Sequence, residues 1–283
     1  MIKCTWSKII DDLKNYLLVW HDIAIQNGYT AVADAGVELL HPSVTRAYNE
    51  LEKEGKLKIR TYAFMMVPEN AENPKAEVAR IAADHAKYSN EYFHIVGVKA
   101  FLDGVIEAHT GWQIDDYLDI PGYHSLERFN DHNKMVDLIV AADVEGLSVH
   151  VHSIGNGATK FMLDCIEDAG ANVVFHSDYP VSPLFDIKNS IYVAEARNFP
   201  KGIGKVAESR NIEESITREQ SICAMTINVA RQWRQESRLG SIEFGKIANM
   251  TVFDCDFLHD DLDKVAKAKV VATIIDGEEV YKA

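Results

Sequence analysis

The sequence predicts an α/β protein: a parallel sheet wrapped in helices, followed by a small β module. Three observations predict it. Apolar stretches with the period of a strand alternate with stretches of helical period through most of the chain, the pattern of repeated strand and helix units. The run Asn172-Val-Val-Phe-His-Ser-Asp178 follows a helical stretch ended by Gly170. Its β-branched start gives way to His176, Ser177 and Asp178, as in a buried parallel strand that delivers polar residues to the loop beyond it. From Gly240 onward the residues read as short strands, with a hairpin turn at Asp276-Gly277.

Each element has its own local signal. The first is a helix that Ser7 can cap, with Asp11 and Asp12 at its positive end, Ile10, Leu13, Leu17 and Ala24 near one face, and Gly28 to stop it. A strand over 29–34 ends in Asp34-Ala35-Gly36, and Ser43 caps a second helix that runs through Val44, Ala47, Tyr48 and Leu51 to Gly55. The pattern then repeats, with a strand over 57–66, a helix opened by Asn73-Pro74 that carries Val78, Ile81 and His85, and a strand over 94–101. Residues 101–125 are irregular and rich in Gly, Asp, His and aromatic side chains. Connections that long are usually functional lids or else disordered, and this one reads as a binding loop. A helix from Asn130 through Met135, Leu138, Ile139 and Ala142 to Gly146 comes next, then a strand over 147–152 and a helix opened by Gly155-Asn156-Gly157. After the strand over 172–177, turns at Pro180 and Pro183 and an irregular polar region lead to Thr217. With Gln220, Thr217 makes a capping box for a helix carrying Ile222, Met225 and Val229. Strands over 247–253, 270–275 and 278–281 complete the β module. The domain reading is residues 1–232 for the α/β part and 233–283 for the β module.

Composition narrows the function. With 283 residues the chain can bury a substantial core, as one α/β barrel or two ordinary domains. A net charge of −14 with scattered Lys and Arg argues against a nucleic-acid partner. Cys4, Cys165, Cys223 and Cys255 are far apart, fall in apolar periodic segments and include no C-x-x-C pair, so they read as buried reduced thiols suited to a cytoplasmic location. No apolar run reaches the roughly 18 residues of a membrane span, so no membrane partner is expected.

Several residues could carry chemistry. Alternation along 147–152 puts His150 and His152 on one face and Val149 and Val151 on the other. Two readings stay open for the pair: hydrogen-bonded structural imidazoles, or, for His152 at the carboxyl end of its strand, a metal ligand. Asp178 either caps the next turn or offers a carboxylate to a reaction. Asp103, Glu107 and His109 stand in the long loop, where they either contact a substrate or are simply solvated. Lys99 taken alone reads as a snorkelling or salt-bridged lysine at a strand end.

Together these pieces resemble one family. Lys99 in VGVKAFLDGVIEAHTGW, His152 in VHVHSIGNGA, Asp178 in HSDYPV, and the closing GSIEFGKIANMTVFD and TIIDGEEVY are similar, in that order, to the metal-dependent amidohydrolases, in the branch that includes N-substituted formamide deformylases. The resemblance runs from about Gly28 to the carboxyl terminus. It implies a (β/α)8 TIM-like barrel with one or two divalent metals, zinc being the expected one, and a small β-sandwich built from segments at both ends of the chain. It assigns metal binding to Lys99 (as its carbamate, bridging two metals), His152 and Asp178. Asp178 is also the catalytic proton carrier, and Asp103, Glu107 and His109 are candidate contacts to a small-molecule amide substrate. The chemistry is general: a divalent cation acidifies water and polarises a carbonyl, while a carboxylate moves the proton to the leaving nitrogen.

The chain also departs from the family pattern. The family's first barrel strand ends in a His-x-His metal pair, with no equivalent here, because His150-Val-His152 is followed by SIGNGA and matches a later segment. Between His152 and Asp178 only one helix and one short strand fit, where the family places about three strand and helix units, among them a further ligand histidine. Five candidate parallel strands fall short of the eight that close such a barrel. The expectation is an incomplete barrel with weak or no metal binding of its own and exposed sheet edges that favour association with a second copy. Two function classes follow. One is a metal-dependent hydrolase of non-peptide carbon–nitrogen bonds in amides, formamides or cyclic amides. The other is a truncated, non-catalytic remnant that keeps a scaffold or binding role.

Overall fold

The computed structural model describes residues 6–37, 41–68, 71–125, 132–169, 174, 186–201, 208–209 and 212–283. Two compact units divide the chain, Met1–Tyr16 with Ala31–Ala171 and Leu17–Thr30 with Asn172–Ala283. Helix α1 (Trp6–Gln26) contributes residues to both.

The first unit alternates as its sequence pattern requires: β1 (Ala31–Val37), α2 (His41–Lys53), β2 (Arg60–Met66), α3 (Pro74–Tyr88), β3 (Phe93–Phe101), α4 (His132–Val144), β4 (Ser148–His152) and α5 (Asn156–Ala169). The four strands pair in parallel in the order β1-β2-β3-β4, the arrangement of half a (β/α) barrel. Central strands β2 and β3 are buried almost throughout, as parallel strands covered on both faces must be. On the helix side Tyr48 stacks on Phe93 at 4.5 Å between ring centroids and donates its hydroxyl to Thr61 at 3.1 Å. Burial pushes the Tyr48 phenol up from its ordinary range. Asn73 caps α3 by accepting from the Ala76 amide at 3.2 Å, as its sequence position suggests.

The second unit contains α6 (Ile187–Ala196), α7 (Arg218–Met225), α8 (Ile227–Gln232), β5 (Met250–Phe253), α9 (Leu262–Val265), β6 (Val270–Ile275) and β7 (Glu278–Lys282). The strands form an antiparallel sheet in the order β5-β6-β7. Asp276 (φ 55°) and Gly277 (φ 82°) make the left-handed pair that a two-residue hairpin turn needs. Within this unit the sheet hangs on the chain that ends α1. Thr251 Oγ1 donates to the Gly28 carbonyl at 2.6 Å and Thr273 Oγ1 to that of Ile25 at 2.8 Å.

Some expectations change. Helix α2 starts at His41, so Ser43 lies inside it, buried, instead of capping it, and α1 begins at Trp6, one residue ahead of Ser7. The region after Pro183, read as irregular, contains α6, capped by Asp186, whose carboxylate accepts from the Asn189 amide at 2.7 Å. The helix after Thr217 breaks at Thr226 into α7 and α8. Of the cysteines, Cys165 is buried, Cys255 half-buried and Cys223 exposed, so the reading of buried thiols fails for Cys223; all three are thiols outside any disulfide. Apart from residue 174, the strand expected over 172–177 lies outside the described residues, as do Asp178 and Cys4. Among the described residues, no helix is long and apolar enough to cross a membrane.

Candidate active site

The register of β3 on β4 builds the site. Gly97 faces Ser148, Lys99 faces His150 and Phe101 faces His152, so alternation brings one lysine and two imidazoles to the same face of adjacent strands. Lys99 is 6% exposed, and its ammonium lies 4.7 Å from the centroid of the Phe101 ring, a cation–π distance. The same ring meets His152 at 4.9 Å, and His150 tilts against Phe64 at 5.2 Å. Phe64 sits on β2 beside Gly97, the strand position where a side chain has no room.

His152 ends its strand half-buried, with Nε2 2.7 Å from the Gly104 carbonyl oxygen. A carbonyl oxygen only accepts, so Nε2 carries the hydrogen, and in the neutral ring Nδ1 keeps the lone pair. Nε2 also lies 3.9 Å from Asp103 Oδ1. Asp103 itself is fully buried, and main-chain donors occupy both its oxygens. Oδ2 accepts from Trp112 N at 3.0 Å and Gly155 N at 2.7 Å, and Oδ1 accepts from Ile154 N at 3.1 Å. These bonds join the loop after β3 to the loop after β4. The join is close: a Cβ on Gly155 would lie 1.9 Å from the Trp112 carbonyl oxygen, the Trp112 indole covers Gly157, and Asn156 Oδ1 accepts from Ile114 N at 2.7 Å.

The long loop is bonded to itself as well. A 3-10 turn spans Ile106–Ala108, the Tyr117 hydroxyl donates to the Gly111 carbonyl at 2.7 Å, and Gln113 N donates to the His124 carbonyl at 2.9 Å. Glu107 is exposed on the turn. His109 follows it in a left-handed conformation (φ 52°) and bonds Asp119 through Nε2 at 2.8 Å, an interaction that holds the Asp119 carboxyl below its usual range.

The structure thus brings Lys99, His150 and His152 to one face, sets Asp103 beside His152 as a loop anchor, and leaves Glu107 and His109 on the outer part of the loop. Asp178 lies outside the described residues. Sequence reasoning missed the Gly104 carbonyl and the amides of Trp112, Ile154 and Gly155. The one available signal was that Gly104 and Gly155 fall just past strand ends. Among the described residues no group of three or more His, Cys, Asp and Glu could hold a metal ion. What the described residues do fit is part of such a centre. A ligand histidine commonly donates its second ring N–H to a carbonyl, and His152 donates Nε2–H in that manner while offering Nδ1.

Residues 165–281 match the model of the amidohydrolase family. The Arabidopsis thaliana protein LONG AFTER FAR-RED 3 is 23% identical over 98% of this chain and 59% of its own length. That alignment runs over 355 residues, more than this chain contains, so it passes over stretches of the relative with no counterpart here. The N-substituted formamide deformylase of Arthrobacter pascens is 29% identical over 43% of this chain and 21% of its own. Among solved structures, an uncharacterized metal-dependent hydrolase from Pyrococcus horikoshii shares the fold, with a TM-score of 0.68, 18% identity, and coverage of 89% of this chain and 62% of that one. These similarities support kinship with the amidohydrolase superfamily, with the family model itself matching residues 165–281. The chain spans less than two thirds of the length of each of these relatives.

Proposed function

We propose that the chain carries part of the catalytic face of a divalent-metal-dependent hydrolase that cleaves non-peptide carbon–nitrogen bonds in small amides, formamides or cyclic amides. One observation carries the reading: His152, at the carboxyl end of a parallel strand, has its Nε2–H committed to the Gly104 carbonyl and its Nδ1 lone pair left over, next to a buried Lys99. His152, Asp178 and Lys99, the last as its carbamate, would hold the metal, with zinc the first candidate. When bound, such a cation lowers the pKa of water toward neutrality and polarises a carbonyl. The chain's own residues do the rest. The Asp178 carboxylate takes a proton from water and returns it to the leaving nitrogen, while Glu107 and His109, on the outer part of the loop, meet the substrate. The β-sandwich, the cytoplasmic location, the division at 232/233 and a second copy paired along a sheet edge belong to the same proposal.

Zinc add-back with elemental analysis after desalting tests it. The reading expects weak zinc binding above background that falls in His152→Ala and Asp178→Asn, and hydrolysis in a screen of formamides and cyclic amides. Background zinc even in excess metal would overturn it. A second reading, a scaffold without catalysis, is supported by the stretches of the plant relative that have no counterpart in this chain, and it predicts that outcome.

A further inference from the structure

We infer that Asp103 is a positioning residue for His152: its buried carboxylate ties the loops after β3 and β4 together and so holds the Gly104 carbonyl where it fixes the His152 ring in the Nε2–H tautomer. Three main-chain amides converge on the carboxylate, two of them from Ile154 and Gly155, two and three residues past His152. The next residue after Asp103 supplies the carbonyl that His152 bonds at 2.7 Å. The far side of that peptide is held too, since Gly104 N donates to the Thr110 carbonyl at 2.7 Å. At strand level, Leu102 N donates to the His152 carbonyl at 3.0 Å, so the backbone and the ring of His152 are gripped by the two residues that flank Asp103. A carboxylate suits this task because it only accepts, and three donors with no competing hydrogen leave it a single arrangement. An amide in its place would turn an N–H toward at least one of those donors, and the loop would shift to relieve the clash.

Ring-nitrogen NMR of the full chain without metal, at a pH well above the ordinary imidazole range, tests this. Wild type shows His152 as a single Nε2–H tautomer. Asp103→Asn keeps the fold and shows a mixture of tautomers. Asn156→Ala, which removes a different clasp between the same two loops, keeps the single tautomer. A mixed or Nδ1–H ring in wild type, an unchanged ring in Asp103→Asn, or an equal loss in Asn156→Ala would each overturn the proposal. If Asp103→Asn does not fold, the wild-type spectrum decides alone. The consequence for metal rests on the proposed function and is read separately: zinc affinity falls by about 10- to 100-fold in Asp103→Asn. A held tautomer in a chain that binds no zinc would sink the metal reading and leave the positioning role standing.

Discussion

At Gly97 a Cβ would lie 2.4 Å from the Ser148 carbonyl oxygen and 2.6 Å from two ring carbons of Phe64, so one methyl group would press on both the β4 backbone and the aromatic floor of the site. Gly97→Ala is expected to lose about 1 to 3 kcal/mol in urea unfolding, and an unchanged midpoint would refute that packing. A second residue sets a pH dependence. His21 is 3% exposed, and burial lowers it to about 4 from an ordinary value near 6.5. The unfolded chain therefore binds the proton first. The stability tied to a neutral His21 is complete above pH 6.5 and is lost as the pH falls toward 4, an effect on the order of 3 kcal/mol. Unfolding at pH 7.5 and pH 4 should show a smaller acid loss in His21→Met than in wild type, and parallel curves would contradict this origin.

Elements divide into those with a local signature and those without. Thr217 and Gln220 announce the start of α7 in four residues and make both bonds of the box: the Thr217 hydroxyl accepts from Gln220 N at 3.2 Å, and the Gln220 side chain accepts from Thr217 N at 2.8 Å. Thr217→Ala should cost about 1 kcal/mol in thermal or urea unfolding, and a neutral result would show that the cap is idle. Asn73-Pro74 and Asp276-Gly277 were legible for the same reason. Helix α6 was not, because its Asp186 cap follows closely on the turn signals of Pro180 and Pro183 and the helix is short. The site was legible in part. Strand alternation predicts that His150 and His152 share a face, but the partners of Asp103 lie 51 and 52 residues away at Ile154 and Gly155, and no local pattern encodes such pairings. Gly155 marks that contact most sharply. Gly155→Ala, with its Cβ against the Trp112 backbone, should separate the two loops and destabilise the first unit by more than Gly97→Ala does in hydrogen exchange of the β4 amides. Equal protection in the two variants would contradict it.

At the scale of the molecule, a four-stranded parallel sheet in sequential order carries its chemical groups at the strand ends, where α/β folds place reactive sites. The fold was readable because each strand and helix unit repeats its own period. The loop contacts were not, because the main-chain donors of Trp112, Ile154 and Gly155 reach Asp103 from stretches far apart in sequence. Similarity to the amidohydrolase family over residues 165–281 is what the proposed metal-dependent hydrolase rests on, and the proposal's test at the residue level is how His152 presents itself. The direct measurement is a zinc titration followed at the ring nitrogens of His152. Nδ1 should shift as zinc is added while Nε2 keeps its hydrogen and its bond to Gly104. Zinc arriving at Nε2, or a ring unmoved at large excess of metal, would contradict it.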